Sequence, residues 1–267
     1  MDLRSTFGFH TTPFTREIRT EDMMSFPFLE EGIGSVMKTL DKRMSAAIIS
    51  PAGGMKSATL RQINARLSEA RYRTRYVKVA SLSKRDMCRE IAAACGIEAA
   101  GYFGSLVRKL QERFETDYAT DGLRPVLILD EAHDLRPDVL SMLRVITNFK
   151  MDSQLVLSFV LAGQPGLRDI LARDDQEAIA RRIVCYVNLR PLSRDETHKY
   201  ITHRSTIAGA NSCPFDEAAV DAIYEISRGN ARTIDNLALG AIEAAAAAKL
   251  KVVSAHHVLE ARRSLWP

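Results

Sequence analysis

Four consecutive apolar residues, Val126, Leu127, Ile128 and Leu129, run directly into two carboxylates, Asp130 and Glu131. An unbroken apolar run of this length fits a strand covered on both faces, the position of a central strand in a parallel sheet. The two acids then stand at the carboxyl end of that strand, where such sheets open their ligand crevice. About 75 residues earlier a second short apolar run, residues 46–49, leads into a turn that contains Gly53 and Gly54. Leu60, Ile63 and Leu67 follow that turn at helical spacing. Two apolar strands, each ending in polar chemistry and each followed by a helix, restrict the chain to an alternating β/α architecture.

The alternation continues. Residues 76–79 read as a strand, and Met87, Ile91 and Ala94 mark a helix that stops at Gly96. Helices are expected near 105–115 and 137–149, and strands at 155–162 and 183–189. Residues 1–43 are expected to form an irregular aromatic segment and a first helix near 29–43. Beyond Pro191 only helical signals remain. Ser193 and Glu196 have the spacing of a capping box, and Asp216 and Ser254 read as helix N-caps. The expected fold is therefore α/β: a parallel αβα domain over 44–190, followed by a small all-helical domain over 191–267.

The turn after the first strand reads Ser50, Pro51, Ala52, Gly53, Gly54, Met55, Lys56, Ser57, Ala58. Its place between a strand and a helix is that of a phosphate loop, the P-loop, in which backbone N–H groups at a helix N-terminus surround a β-phosphate. Lys56 would meet the β- and γ-phosphates, and the Ser57 hydroxyl would hold Mg²⁺. The pattern departs from GxxxxGK[ST] at Ser50 and Met55. A side chain forced into the left-handed region costs about 1–2 kcal/mol, so Met55 is expected to weaken nucleotide binding roughly tenfold without abolishing it. Gly54 is expected to absorb part of the distortion. Alone, this turn reads equally well as a glycine-rich helix cap. The acids at 130 and 131 decide between the readings: Asp130 would support the Mg²⁺ shell and Glu131 would polarise the attacking water. His133, just beyond them, reads as a helix-start residue with no special role, the alternative being a contact to DNA or to a neighbouring subunit.

Composition narrows the setting. The four cysteines form no CxxC pair, which gives no zinc or redox motif and fits a reducing, cytoplasmic compartment. No secretory leader is read at the start, and no run approaches 18 apolar residues, so no membrane span is expected. The net charge of +4 is modest, but nine Lys or Arg against two acids fall between Arg61 and Arg89.

The run from Pro125 to Leu135, with Asp-Glu-Ala-His at its centre, resembles the corresponding region of AAA+ ATPases in the ExeA, TniB, TnsC and MuB group. Leu161-Ala162-Gly163-Gln164-Pro165, the run from Ser227 to Arg232, and Phe7-Gly8-Phe9 with Pro13-Phe14 are similar to that group as well. The resemblance implies a P-loop AAA+ domain with a helical lid, using ATP and Mg²⁺. It implies that Gln164 reads the γ-phosphate and that Arg232 reaches the nucleotide from the lid. It also implies that Arg182 or Arg181 acts as an arginine finger on a neighbouring subunit's ATP, and hence a homo-oligomer, ring or helical filament. The adenine preference rests on the resemblance alone. Such proteins assemble on double-stranded DNA and recruit or activate a transposase, and Arg73, Arg75, Lys84 and Arg85 are the expected sequence-independent phosphate contacts. Two alternatives stand beside that expectation: an ExeA-like secretion ATPase, and a non-hydrolysing, nucleotide-locked scaffold produced by Met55.

Overall fold

The computed structural model describes residues 3–265. In chain order its helices are α1 (Leu3–Phe7), α2 (Pro27–Asp41), α3 (Lys56–Arg66), α4 (Lys84–Ala94), α5 (Phe103–Ala119), α6 (Pro137–Ile146), α7 (Gly166–Leu171), α8 (Glu177–Ala180), α9 (Arg194–Ile207), α10 (Glu217–Ser227), α11 (Ala231–Ala247) and α12 (Ala255–Leu265). The strands are β1 (Ser45–Ile49), β2 (Tyr72–Lys78), β3 (Arg124–Asp130), β4 (Ser158–Gly163) and β5 (Ile183–Asn188). Contacts divide the chain into two compact units. One holds residues 27–52 and 56–189; the other holds the segment up to Phe26, the three residues 53–55, and everything from Arg190 on.

The first unit is built on a five-stranded sheet of order β2-β3-β4-β1-β5, and every pairing in it is parallel. The three inner strands follow their sequences closely. β1 and β4 are buried throughout and β3 is buried from Pro125 on, as unbroken apolar runs require. The edge strands are harder to read. β2 is Tyr-Arg-Thr-Arg-Tyr-Val-Lys, and pairing with β3 carries it back to Tyr72, four residues before its apolar signal begins. Among the inner strands β4 departs at one end: it starts only at Ser158 and not at 155, Gln154 instead bridges back to Phe149, and Leu155 is exposed. Met87, Ile91, Leu106, Leu110, Phe114, Leu140 and Leu143 pack against Leu127, Leu129, Phe159 and Leu161 of the sheet. The thiols of Cys88 and Cys95 lie in this core, and burial pushes them up to about 12 and about 11, so both remain protonated packing groups.

The second unit is helical. Ser193 accepts from Glu196 N–H while the Glu196 carboxylate accepts from Ser193 N–H, which completes the expected capping box. Asp216 caps α10 through Ala219 N–H. Ser254 precedes α12, and its hydroxyl meets His257 Nδ1 at 3.1 Å. The segment before α2 packs with these helices: Phe9 and Phe14 are buried, Phe14 meets Phe215 edge-on at 5.8 Å, and Arg204 donates to Thr15 O at 2.6 Å. Arg204 also pairs with Asp235, which accepts from the Tyr200 hydroxyl at 3.0 Å.

Candidate active site

Sheet register gathers the expected residues. Ile49 of β1 aligns with Gly163 of β4, and Ala162 of β4 aligns with Asp130 of β3. Ser50, Glu131 and Gln164 are the next residues of three neighbouring strands, so they leave the carboxyl edge of the sheet within one residue of the same level. Ser50 N–H donates to Gly163 O at 3.0 Å, extending the ladder one step into the turn. From that turn α3 begins at Lys56.

Lys56 points back over the sheet edge. Its Nζ is 2.5 Å from Glu131 Oε2 and 3.3 Å from Asp130 Oδ1. Lys56 and Asp130 are 8% and 4% exposed, so that pair is held where water screens it poorly, while the Glu131 side chain is 31% exposed and reaches solvent. Removing one member would strand the others. Asp130 is fixed further: its Oδ1 accepts from Glu131 N–H at 2.8 Å, and its Oδ2 accepts from the Tyr76 hydroxyl at 3.1 Å. Burial and the Asp130 charge push Tyr76 up to about 12, which keeps the phenol a neutral donor. Ser57 is exposed in the first turn of α3. The oxygen set of the Ser57 hydroxyl and the Asp130 carboxylate suits a hard divalent cation such as Mg²⁺.

Two of the expected non-glycine residues have positive φ. Glu131 has φ 56° and ψ 35°, a left-handed conformation that a side chain rarely adopts. Met55 has φ 67° and Gly53 φ 75°. The left-handed step therefore falls on Met55 itself, as its sequence position implied. Gly54 is not among the residues of positive φ, so the neighbouring glycine does not take up the distortion.

The remaining residues separate. Gln164 lies beside the acids, its Nε2 2.8 Å from His133 Nε2. Arg181 and Arg182 line an open cleft of about 740 Å³ together with Gln111, Arg144, Asn148 and Asp152. Arg182 pairs with Asp152 at 2.7 Å, and Arg181 pairs with Glu177 one helical turn before it. Arg144 was not legible as a partner of this pair, because nothing in its own helix marks it. Arg232 is exposed at the start of α11, and its N–H donates to Gly53 O at 3.4 Å. Of the expected DNA contacts, Arg73, Lys84 and Arg85 are exposed. Arg75 is not: it is 7% exposed and its Nη2 is 2.6 Å from Asp117, a carboxylate with no exposed surface that also meets Arg113 at 3.0 Å. Arg75 is thus a core ion-pair residue, buried together with the Asp117 carboxylate. Tyr76 and His133 lie beside these carboxylates and were passed over by sequence patterning; only the adjacency of His133 to the acids pointed to it.

A family model described as "AAA domain" matches residues 39–171. Residues 39–171 carry an AAA domain. General secretion pathway protein A of Aeromonas hydrophila is 32% identical over 164 residues, covering 60% of this chain and 29% of that protein. The chain thus spans under a third of the length of that relative. Among solved structures, Cdc6p from Pyrobaculum aerophilum superposes with a TM-score of 0.76 at 17% identity, over 94% of this chain and 70% of that one. The Aeropyrum pernix ORC1 protein in complex with DNA gives 0.70 at 19% identity, over 94% and 68%. These likenesses fix the fold as the P-loop AAA+ type, with the AAA domain holding the sheet edge where Lys56, Asp130, Glu131 and Gln164 converge. Among the described residues no helix is long and apolar enough to cross a membrane.

Proposed function

We propose that this AAA domain is a cytoplasmic MgATP-dependent switch that hydrolyses ATP to ADP and phosphate and assembles as a homo-oligomer on double-stranded DNA, where it recruits or activates a transposase. The observation that carries the nucleotide reading is the convergence of Lys56 with Asp130 and Glu131 across 75 residues of chain. Bound MgATP supplies the γ-phosphoryl group and a cation that neutralises its charge. The residues 50–58 wrap the phosphates with backbone N–H groups, and Ser57 and Asp130 hold the cation. Lys56 and Glu131 share one hydrogen bond, so a triphosphate that draws Lys56 away leaves the Glu131 carboxylate to orient water and take its proton. Gln164 reads the γ-phosphate. Arg182, with Arg181 beside it, acts on the nucleotide of the next copy, and Arg232 reaches the nucleotide from the helical unit.

The DNA reading is supported by Arg73, Lys84 and Arg85. The latter two stand in the first turn of α4, where the helix dipole disfavours cations. The ORC1 neighbour is itself a DNA complex. A second reading, a secretion ATPase, is favoured by the match to general secretion pathway protein A. One set of experiments separates these readings. MgATP affinity and turnover are measured for the wild type and for Glu131→Gln, which should bind nucleotide and not hydrolyse it. The trapped variant is then imaged with duplex DNA and, separately, with lipid vesicles. Nucleotide-dependent rings or filaments on DNA support the first reading, and assembly only on vesicles supports the second. Tight binding without wild-type turnover returns the protein to a nucleotide-locked scaffold, and no binding at millimolar MgATP sinks all three.

A further inference from the structure

Gln164 and Glu131 do not meet directly; His133 stands between them. Gln164 Nε2 lies 2.8 Å from His133 Nε2. An amide nitrogen only donates, so the ring Nε2 accepts, and the proton of a neutral imidazole then sits on Nδ1. His133 Nδ1 is buried, makes no hydrogen bond among the described residues, and lies 3.6 Å from Glu131 Oε2. Turning the amide over would move the ring proton to Nε2 and set a bare Nδ1 lone pair against the carboxylate, so Glu131 selects the same assignment. Asp134, the other acid nearby, is 3.9 Å from Nε2, beyond hydrogen-bond reach. The backbone is fitted to this arrangement. A Cβ on Gly163 would approach His133 N to 3.0 Å and Leu167 Cβ to 3.1 Å, so glycine at the end of β4 lets the 131–134 turn pack beside it.

We propose that His133 is a positioning residue that links Gln164 to Glu131, a role that rests on the hydrolase reading above. Gln164 has two amide N–H donors. Committing one to His133 Nε2 fixes the direction of the other, which the hydrolase reading assigns to the γ-phosphate. The Nδ1–H on the far side of the ring faces Glu131 across 3.6 Å, outside hydrogen-bond distance while Lys56 holds the same Oε2, and it closes on the carboxylate when a triphosphate draws Lys56 away. The group that senses the phosphate and the group that activates water are then joined by one rigid ring, and Glu131 is aligned only when Gln164 is.

The test has two arms on the full chain. The first uses no nucleotide: ¹⁵N–¹H correlation of the imidazole rings at about pH 8, above the ordinary histidine range. His133 is expected as the Nδ1–H tautomer, and because Glu131 and Gln164 both favour it, Gln164→Leu combined with Glu131→Gln should return it to the Nε2–H form that free imidazole side chains favour. An Nε2–H ring in the wild type, or a tautomer unchanged in the double variant, overturns the link. The second arm is steady-state turnover. His133→Ala should lower kcat about tenfold or more with KM changed by less than about twofold. His133→Asn, which puts an amide donor near the Nδ1 position, should recover part of the loss and should melt with the wild type, showing that the fold is intact. Wild-type kcat in His133→Ala overturns the role. A wild type that binds no MgATP or shows no turnover defeats the hydrolase reading instead, and the tautomer arm still decides the link.

Discussion

Met55→Gly tests the reading of the phosphate loop most directly. Met55 has φ 67°, where an L-residue pays about 1–2 kcal/mol for the approach of Cβ to the carbonyl oxygen. Glycine removes that cost but adds freedom to the unfolded chain, an offset of about 0.4–1 kcal/mol. The net gain is about 0.5–1 kcal/mol, which for a chain of this size raises Tm by about 1–4 °C. Any part of the strain that deepens as the loop closes on a phosphate reports in affinity instead. A tenfold gain requires about 1.4 kcal/mol, so the Kd for MgATP should fall by no more than about tenfold. Met55→Ala is the control: it keeps Cβ, hence the strain, and gives up packing at a half-buried position. Scanning calorimetry and nucleotide titration on the three proteins read both quantities. The reasoning is refuted if the glycine variant melts at or below the wild type with unchanged Kd, or if alanine stabilises as much as glycine.

Three further outcomes follow from other parts of the molecule. Asp117→Ala leaves the buried Arg75 without its counter-charge and should cost about 3–5 kcal/mol in denaturant unfolding, while Asp117→Leu with Arg75→Met should recover most of it. Lys84→Glu with Arg85→Glu should weaken duplex DNA binding and reduce the slope of log K against log salt by about 2, whereas Arg75→Met should leave that slope unchanged. Asp235 is pushed up to about 6 by burial, with Arg204 and Tyr200 pulling it partly back. Between about pH 4 and 6 the folded carboxyl keeps a proton that the unfolded chain has lost, so stability declines as pH rises through that window, by up to about 3 kcal/mol. Asp235→Asn, compared with the wild type in urea melts across that range, should flatten the decline.

The inner half of the sheet and the acids at its edge were legible in the sequence. β1, β3 and β4 are apolar on both faces, so burial alone marks them, and chain order then fixes where Lys56, Asp130 and Gln164 leave the sheet. The left-handed step at Met55 was legible for a related reason: a turn of this kind requires a positive φ at the residue before the lysine, whatever side chain occupies it. Capping at Ser193 and Asp216 is a matter of a few adjacent residues and needs no tertiary information.

Tertiary structure decided what depends on partners far apart in the chain. Arg73 and Arg75 look alike in sequence, and only the placement of Asp117, 42 residues beyond Arg75, makes one a surface cation and the other a core ion pair. Tyr76 carries no signal of its own: parallel pairing of β2 with β3 sets its hydroxyl beside Asp130. His133 neighbours Glu131 through the local turn, and only the packing of β4 brings Gln164 to its ring. The pattern of apolar residues records which positions lose water on folding. It does not record which buried polar groups meet, because that choice is made by the packing of strands and helices distant in sequence, and a charge in a dry interior persists only where that packing supplies its partner.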